Sequence, residues 1–118
     1  MMAARPKQKP ADQPGLKEID AHLLKSAYAG IFDLVKAALE QGADIKAAEP
    51  RDGLTALHIA VGTNNLPLAR YLVEEWHAPF VTDGFGRFPT AVAAECGASD
   101  ELCDYIVEQE AKALGITE

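Results

Sequence analysis

The stretch Asp52-Gly53-Leu54-Thr55-Ala56-Leu57-His58-Ile59-Ala60 decides the fold, because the run that follows its turn returns on either side. Set against itself, the chain shows a period of 34 and then 33 residues. Thr55 to Asn64 (TALHIAVGTN) aligns with Ala21 to Gly30 (AHLLKSAYAG) upstream and with Phe88 to Gly97 (FPTAVAAECG) downstream. Each of these segments is followed by a second apolar one: Phe32 to Leu39, Leu66 to Val73 and Glu101 to Val107. The spacing is helical. Leu16, Ile19, Leu23 and Ala27 fall on one face at steps of three and four, and Phe32, Val35, Ala38 and Leu39 resume the period after Gly30. The spacing predicts a helical hairpin with a very short connection, made three times.

The punctuation agrees with that reading. Gly30, Asn64 and Gly97 land at the same place, the tight turn between two helices. Asn is the best non-glycine residue where positive φ is required, so the one exception obeys the same sterics. Gly42 lies just past the second helix, where a glycine adopts the left-handed conformation cheaply. Pro67 stands in a first turn, where its missing N–H costs nothing. Ser99, followed by Asp100 and Glu101, supplies a capping oxygen and negative charge at the positive end of the last helix.

This pattern resembles the ankyrin repeat. Asp52 to Ala60 is similar to the family's D-G-x-T-P-L-H-x-A core, with Ala56 at the proline position. Asp83 to Ala94 is a degraded copy that keeps Gly86, Pro89 and the alanine pair Ala93-Ala94. Gln41-Gly42-Ala43-Asp44-Ile45 looks like the G-A-D-V segment that closes a repeat, whereas Trp76-His77-Ala78-Pro79-Phe80 replaces it in the second copy and predicts a loop of different shape. The resemblance implies an all-α solenoid of three stacked helix-turn-helix units joined by short β-turn or hairpin tips, with units over about 16–49, 50–82 and 83–113. It also implies that Thr55 and His58 brace the second unit internally. Neither helix pair is stable until stacked. Small residues at Ala60, Ala93 and Ala94 should let the inner helices approach, with Leu57, Leu72, Val73, Ile106 and Val107 as the bulk of the core.

Composition narrows the function. The chain has 118 residues, one domain's worth, with 48% hydrophobic and 25% charged residues. Asp and Glu number 18 against 11 Lys and Arg, a net charge of −7, which argues against nucleic acid or an anionic membrane as the partner. No apolar run approaches the roughly 20 residues that cross a bilayer. Residues 1–17 carry Arg5, Lys7, Lys9 and Lys17 against Asp12, a net +3, so the remainder carries −10. With Pro6, Pro10, Pro14 and Gly15, residues 1–15 read as a flexible basic tail, and 114–118 as a second, short one. Two cysteines do not make a disulfide framework, so the expected compartment is a reducing cytoplasm.

No catalytic or metal-binding constellation assembles in the sequence. His22, His58 and His77 are spread across the repeats, and Cys96 and Cys103 are seven apart with no further ligand at tight spacing, so no metal is expected. The two thiols read as buried or half-buried small hydrophobes. Ser26 and Ser99 are the serines, and neither sits in a nucleophile turn. Gly84 and Gly86 lack the third glycine and the lysine of a phosphate loop, so no cofactor is expected and the chain is read as no enzyme. Residues 95–118 carry seven acids against Lys112, read as a solvated helix face.

A binding surface remains. Carried over from the family, the variable contact positions of the concave side fall on Arg51, Asp52 and Leu54 in the first tip and Phe85 and Arg87 in the second. From the inner helices come Tyr28, Thr63 and Glu95. Leu54 and Phe85 have a second reading, packing within their own tips. The expectation is a stand-alone adaptor, inhibitor or immunity-type protein that docks another protein, with a regulatory subunit of an enzyme as the alternative and an enzyme with an unrecognised site as a remote one. A monomer is expected, with a symmetric dimer through the ends of the stack as the other possibility.

Overall fold

The computed structural model describes residues 16–115. The tail expected over 1–15, and residues 116–118 of the second one, lie outside the described residues. Among the described residues, six helices form three antiparallel pairs: α1 (Glu18–Ala29) with α2 (Phe32–Glu40), α3 (Ala56–Gly62) with α4 (Leu66–Trp76), and α5 (Pro89–Glu95) with α6 (Asp100–Ala113). The first helices of the pairs form a row, α1 against α3 and α3 against α5, while α4 meets α6 more sparsely. Alanine explains the closeness of that row. Ala27, Ala56, Ala60 and Ala93 are buried in it and keep the backbones near each other. Because the second helices stand further apart, the stack is wedge-shaped and its hollow side is the one lined by α1, α3 and α5.

The turns follow the predicted rule. Gly30, Asn64 and Gly97 all have positive φ, at 72°, 56° and 67°. Asn64 does more than tolerate the conformation, since its Oδ1 accepts from the Ser99 N–H at 2.9 Å and ties the second turn to the start of α6. Ser99 Oγ in turn accepts from the Leu102 N–H at 3.2 Å, the expected cap. The loop after α4 departs less than its sequence suggests. His77, at φ 51°, takes the left-handed place that Gly42 holds after α2, and buried Ala78 follows it as buried Ala43 follows Gly42.

Leu23, Val35, Leu57, Leu68, Leu72, Leu102 and Ile106 are fully buried and run through the three units as one core. Burying each is worth roughly 1.5–3 kcal/mol. Val107, expected in that core, is 49% exposed, and Val73 is only half-buried. Leu102 and Ile106, four apart on α6, already point at the core, and Val107 lies about 100° further round. Ala94 and Cys96 are also exposed, because α5 turns its last residues to the open side; Cys103 is half-buried.

The brace between Thr55 and His58 is a reciprocal cap. Thr55 Oγ1 accepts from the His58 N–H at 3.3 Å, and the Thr55 hydroxyl and N–H donate to His58 Nδ1 at 2.9 and 3.3 Å. With Nδ1 an acceptor, Nε2–H donates to the Arg87 carbonyl at 3.0 Å, so a neutral imidazole locks the second unit to the tip leading into the third. Phe88 and Ala91 occupy the corresponding positions of the third unit and cannot repeat the device. There Glu110 Oε1 of α6 accepts from the Thr90 N–H at 3.1 Å instead.

Candidate protein-interaction surface

Two turns stand at the mouth of the hollow side. The first is closed by the Ala48–Thr55 bridge and by the Glu49 N–H donating to the Leu54 carbonyl at 2.9 Å. Glu49 Oε1 accepts from the Arg51 and Asp52 N–H groups at 2.9 and 2.8 Å, which fixes the apex. In the second, Asp83 plays the same part. Its Oδ1 accepts from the N–H groups of Phe85 and Arg87, both at 2.9 Å, and its own N–H donates to the Arg87 carbonyl at 2.9 Å.

The two tips touch backbone to backbone. The Gly84 N–H donates to the Asp52 carbonyl at 2.7 Å. A Cβ on Gly53 would stand 2.5 Å from Gly84 N, and one on Gly84 would stand 2.7 Å from Asp52 O. Only glycine at both places lets the tips close onto each other, and Gly53 also holds a φ of 71°. The tips are thereby one continuous ridge.

Arg51 is exposed at the first apex and makes no ion pair among the described residues. Asp52 is half-buried beside it, and Leu54 is half-buried against the core. Phe85 is 68% exposed at the second apex. Arg87 lies beneath it, its guanidinium carbon 5.3 Å from the Phe85 ring centroid. Arg87 is also clamped: Nε and Nη2 reach Asp83 Oδ2 at 2.9 Å, and Nη1 reaches Glu95 Oε1 at 2.8 Å. Arg87 and Glu95 therefore satisfy each other. Thr63, at the end of α3, turns its hydroxyl back onto the Ile59 carbonyl at 2.8 Å.

The electrostatics follow from these contacts. Burial pushes the Asp83 carboxyl up, but the Arg87 N–H, its guanidinium and the Phe85 N–H together outweigh it and hold the group below its usual value. Arg87 is raised, by Glu95 first and then Asp83. Tyr28, 51% exposed on α1, is raised by partial burial and by the carboxylates of Glu49 and Asp52, so its phenol stays a neutral donor facing the first tip. The structure thus gathers Tyr28 with the first tip, and Phe85, Arg87 and Glu95 around the second. Glu49 and Asp83, which organise both tips, were missed in the sequence. An acid two residues ahead of each apex was the available signal. Among the described residues no three His, Cys, Asp or Glu groups converge as metal ligands would, and no helix is long and apolar enough to cross a membrane.

A row of short helices, left-handed inter-helix turns, a Thr-His cap and paired tips at a 33-residue period now stand together with the match to the family described as ankyrin repeats, in three copies, over residues 23–114. The chain belongs to the ankyrin-repeat family. Ankyrin repeats are protein-interaction modules without catalytic function of their own. Among curated proteins, the chain is similar to the NF-kappa-B inhibitor cactus of Drosophila yakuba, 42% identical over 50 residues, and equally to that of Drosophila melanogaster. Those 50 residues are 42% of this chain and 10% of the relative, so the chain matches about a tenth of the length of these relatives.

Proposed function

We propose that this ankyrin stack docks a partner protein on its hollow side, as an adaptor, inhibitor or immunity-type protein. The observation that carries the reading is the Asp52–Gly84 backbone bond, which joins two tips into one ridge carrying Arg51, Asp52 and Phe85, with Tyr28 of α1 beside its first tip. A ridge with no loose joint loses little conformational entropy on binding. Tyr, Arg and an exposed aromatic are the types that dominate interface energetics. Leu54, Thr63, Arg87 and Glu95 complete the surface mainly by holding its shape, and the Arg87–Glu95 pair would orient the partner through whatever charge it leaves unmatched. The chain is proposed to act as a monomer in the cytoplasm, where its free thiols Cys96 and Cys103 would stay reduced.

The inhibitor reading draws support from the similarity to relatives named as inhibitors of NF-kappa-B, a role those names assign to proteins of which this chain matches a small part. The test is a variant carrying Tyr28→Ala, Arg51→Glu and Phe85→Ala. All three side chains are exposed, so the unfolding midpoint should stay within about 0.5 kcal/mol of the parent's. Partner capture should be lost; retained capture would move the interface off this side.

A further inference from the structure

On the opposite side of the molecule, α2 and α4 leave an open trough of about 450 Å³ lined by Phe32, Lys36, Glu40, Tyr71, Glu75 and Trp76. Its wall is aromatic and rigid. Phe32 and Tyr71 meet with ring centroids 4.8 Å apart, and the Trp76 Nε1–H donates to the Tyr71 hydroxyl at 2.8 Å. All three rings are half-buried, so each keeps part of its surface open to solvent. Lys36 is the one cation among the six lining residues, against two carboxylates.

We propose that this trough is the docking place of the chain's own N-terminal stretch, Arg5-Pro6-Lys7-Gln8-Lys9-Pro10, held intramolecularly as a polyproline-type strand. Three observations select that occupant. The first is chemistry: proline rings pack on aromatic faces, and an extended proline-rich strand docks into such grooves at low entropic cost. The second is charge. The stretch brings Arg5, Lys7 and Lys9 to a rim where Glu40 and Glu75 outnumber Lys36.

The third is reach. The trough runs from Phe32 to Glu40, about 12 Å along α2. Pro6 to Pro10 in polyproline geometry spans the same length, about 12 Å. The start of α1 lies beside the segment that leaves α2, since Asp20 Oδ1 accepts from the Asp44 N–H at 2.8 Å. Six residues lie between Pro10 and Lys17, and the seven steps from one to the other can cover up to about 25 Å. A tether of this length holds the strand at an effective concentration on the order of 1 mM, so a groove that binds the free strand at about 0.1 mM is roughly nine-tenths filled.

Trp76 is the sole tryptophan, so its fluorescence reports on the trough alone. In the full chain, acrylamide quenching of Trp76 is compared with that of a full-length variant carrying Arg5→Glu, Lys7→Glu and Lys9→Glu. Acrylamide is neutral, so the charge change does not itself alter quencher access. Helix content, read by circular dichroism, should be the same in both. The quenching constant should rise roughly twofold or more in the variant, as the strand leaves the ring. Molar salt should expose Trp76 in the parent, because the Debye length falls to about 3 Å, and change the variant little.

A trough variant, Glu40→Lys with Glu75→Lys, should lose the protection as well. Combining it with the three N-terminal glutamates should restore it, a rescue that a mere change of surface charge would not give. Equal quenching in parent and N-terminal variant would overturn the proposal. So would protection that grows with protein concentration, because the occupant would then be a second copy.

Discussion

His58 fits its contacts as a neutral imidazole: Nδ1 accepts from the Thr55 N–H and hydroxyl, Nε2–H donates to the Arg87 carbonyl, and a proton on Nδ1 would face the Thr55 N–H. Burial lowers its pKa from 6.5, more than the Arg87 carbonyl and the charge of Asp83 raise it. The unfolded chain therefore takes up this proton first as the pH falls. Stability should be intact above about pH 6.5 and decline below it, a trend that urea midpoints along a pH series would reveal. A His58→Asn variant should start less stable and show a flatter slope in that window. Asp83 acts lower: with its folded value depressed, its contribution persists above the unfolded 3.8 and fails only on further acidification. Thr55→Ala removes the cap and should cost about 1–2 kcal/mol in denaturant unfolding. Thr90 offers the opposite test. Its hydroxyl is buried without a partner among the described residues, so Thr90→Val should stabilise the fold by about 1 kcal/mol; a loss of that size would mean the hydroxyl is satisfied in solution.

The helices and the places of the tips were legible, and the joint between the tips was not. Apolar residues at steps of three and four, with Gly30, Asn64 and Gly97 at one register, locate each pair because a buried face and a forced positive φ are local properties. The stacking of Gly53 on Gly84 is a contact between residues 31 apart, and no spacing within either tip announces it. The same holds for Arg87, which reads as a free charge until Asp83 and Glu95 are seen to clamp it. Val107 is exposed for a plainer reason, since Leu102 and Ile106 already form the buried face of α6 and Val107 lies about 100° round the helix from Ile106. At this scale the joint between the tips can be tested. Gly53→Ala would place a Cβ 2.5 Å from Gly84 N at a φ of 71°, and should destabilise the protein by about 1–3 kcal/mol. Crosspeaks of residues 83–87 in an amide NMR spectrum should shift along with those of the mutated tip.

At the level of the whole molecule, three units share one core, and none buries its apolar face without a neighbour. Loss of a single interior leucine should be felt throughout. Leu102→Ala should remove about 2–5 kcal/mol and lower the midpoint of one cooperative transition; two separate transitions would show α5 and α6 to be an appendage. The outer trough is lined by Phe32, Tyr71 and Trp76 with Glu40, Glu75 and Lys36, whereas the hollow side exposes Tyr28, Arg51 and Phe85, so the two surfaces are chemically distinct. That distinction bears on the central claim, that protein partners meet the hollow side. The most direct measurement is affinity capture from native cell extract, quantified by mass spectrometry. The parent chain would be compared with the Tyr28→Ala, Arg51→Glu, Phe85→Ala variant and with the outer-side variant Glu40→Lys, Glu75→Lys. Proteins enriched by the parent should be lost with the first variant and kept with the second. Capture of the same proteins by the first variant would contradict the claim.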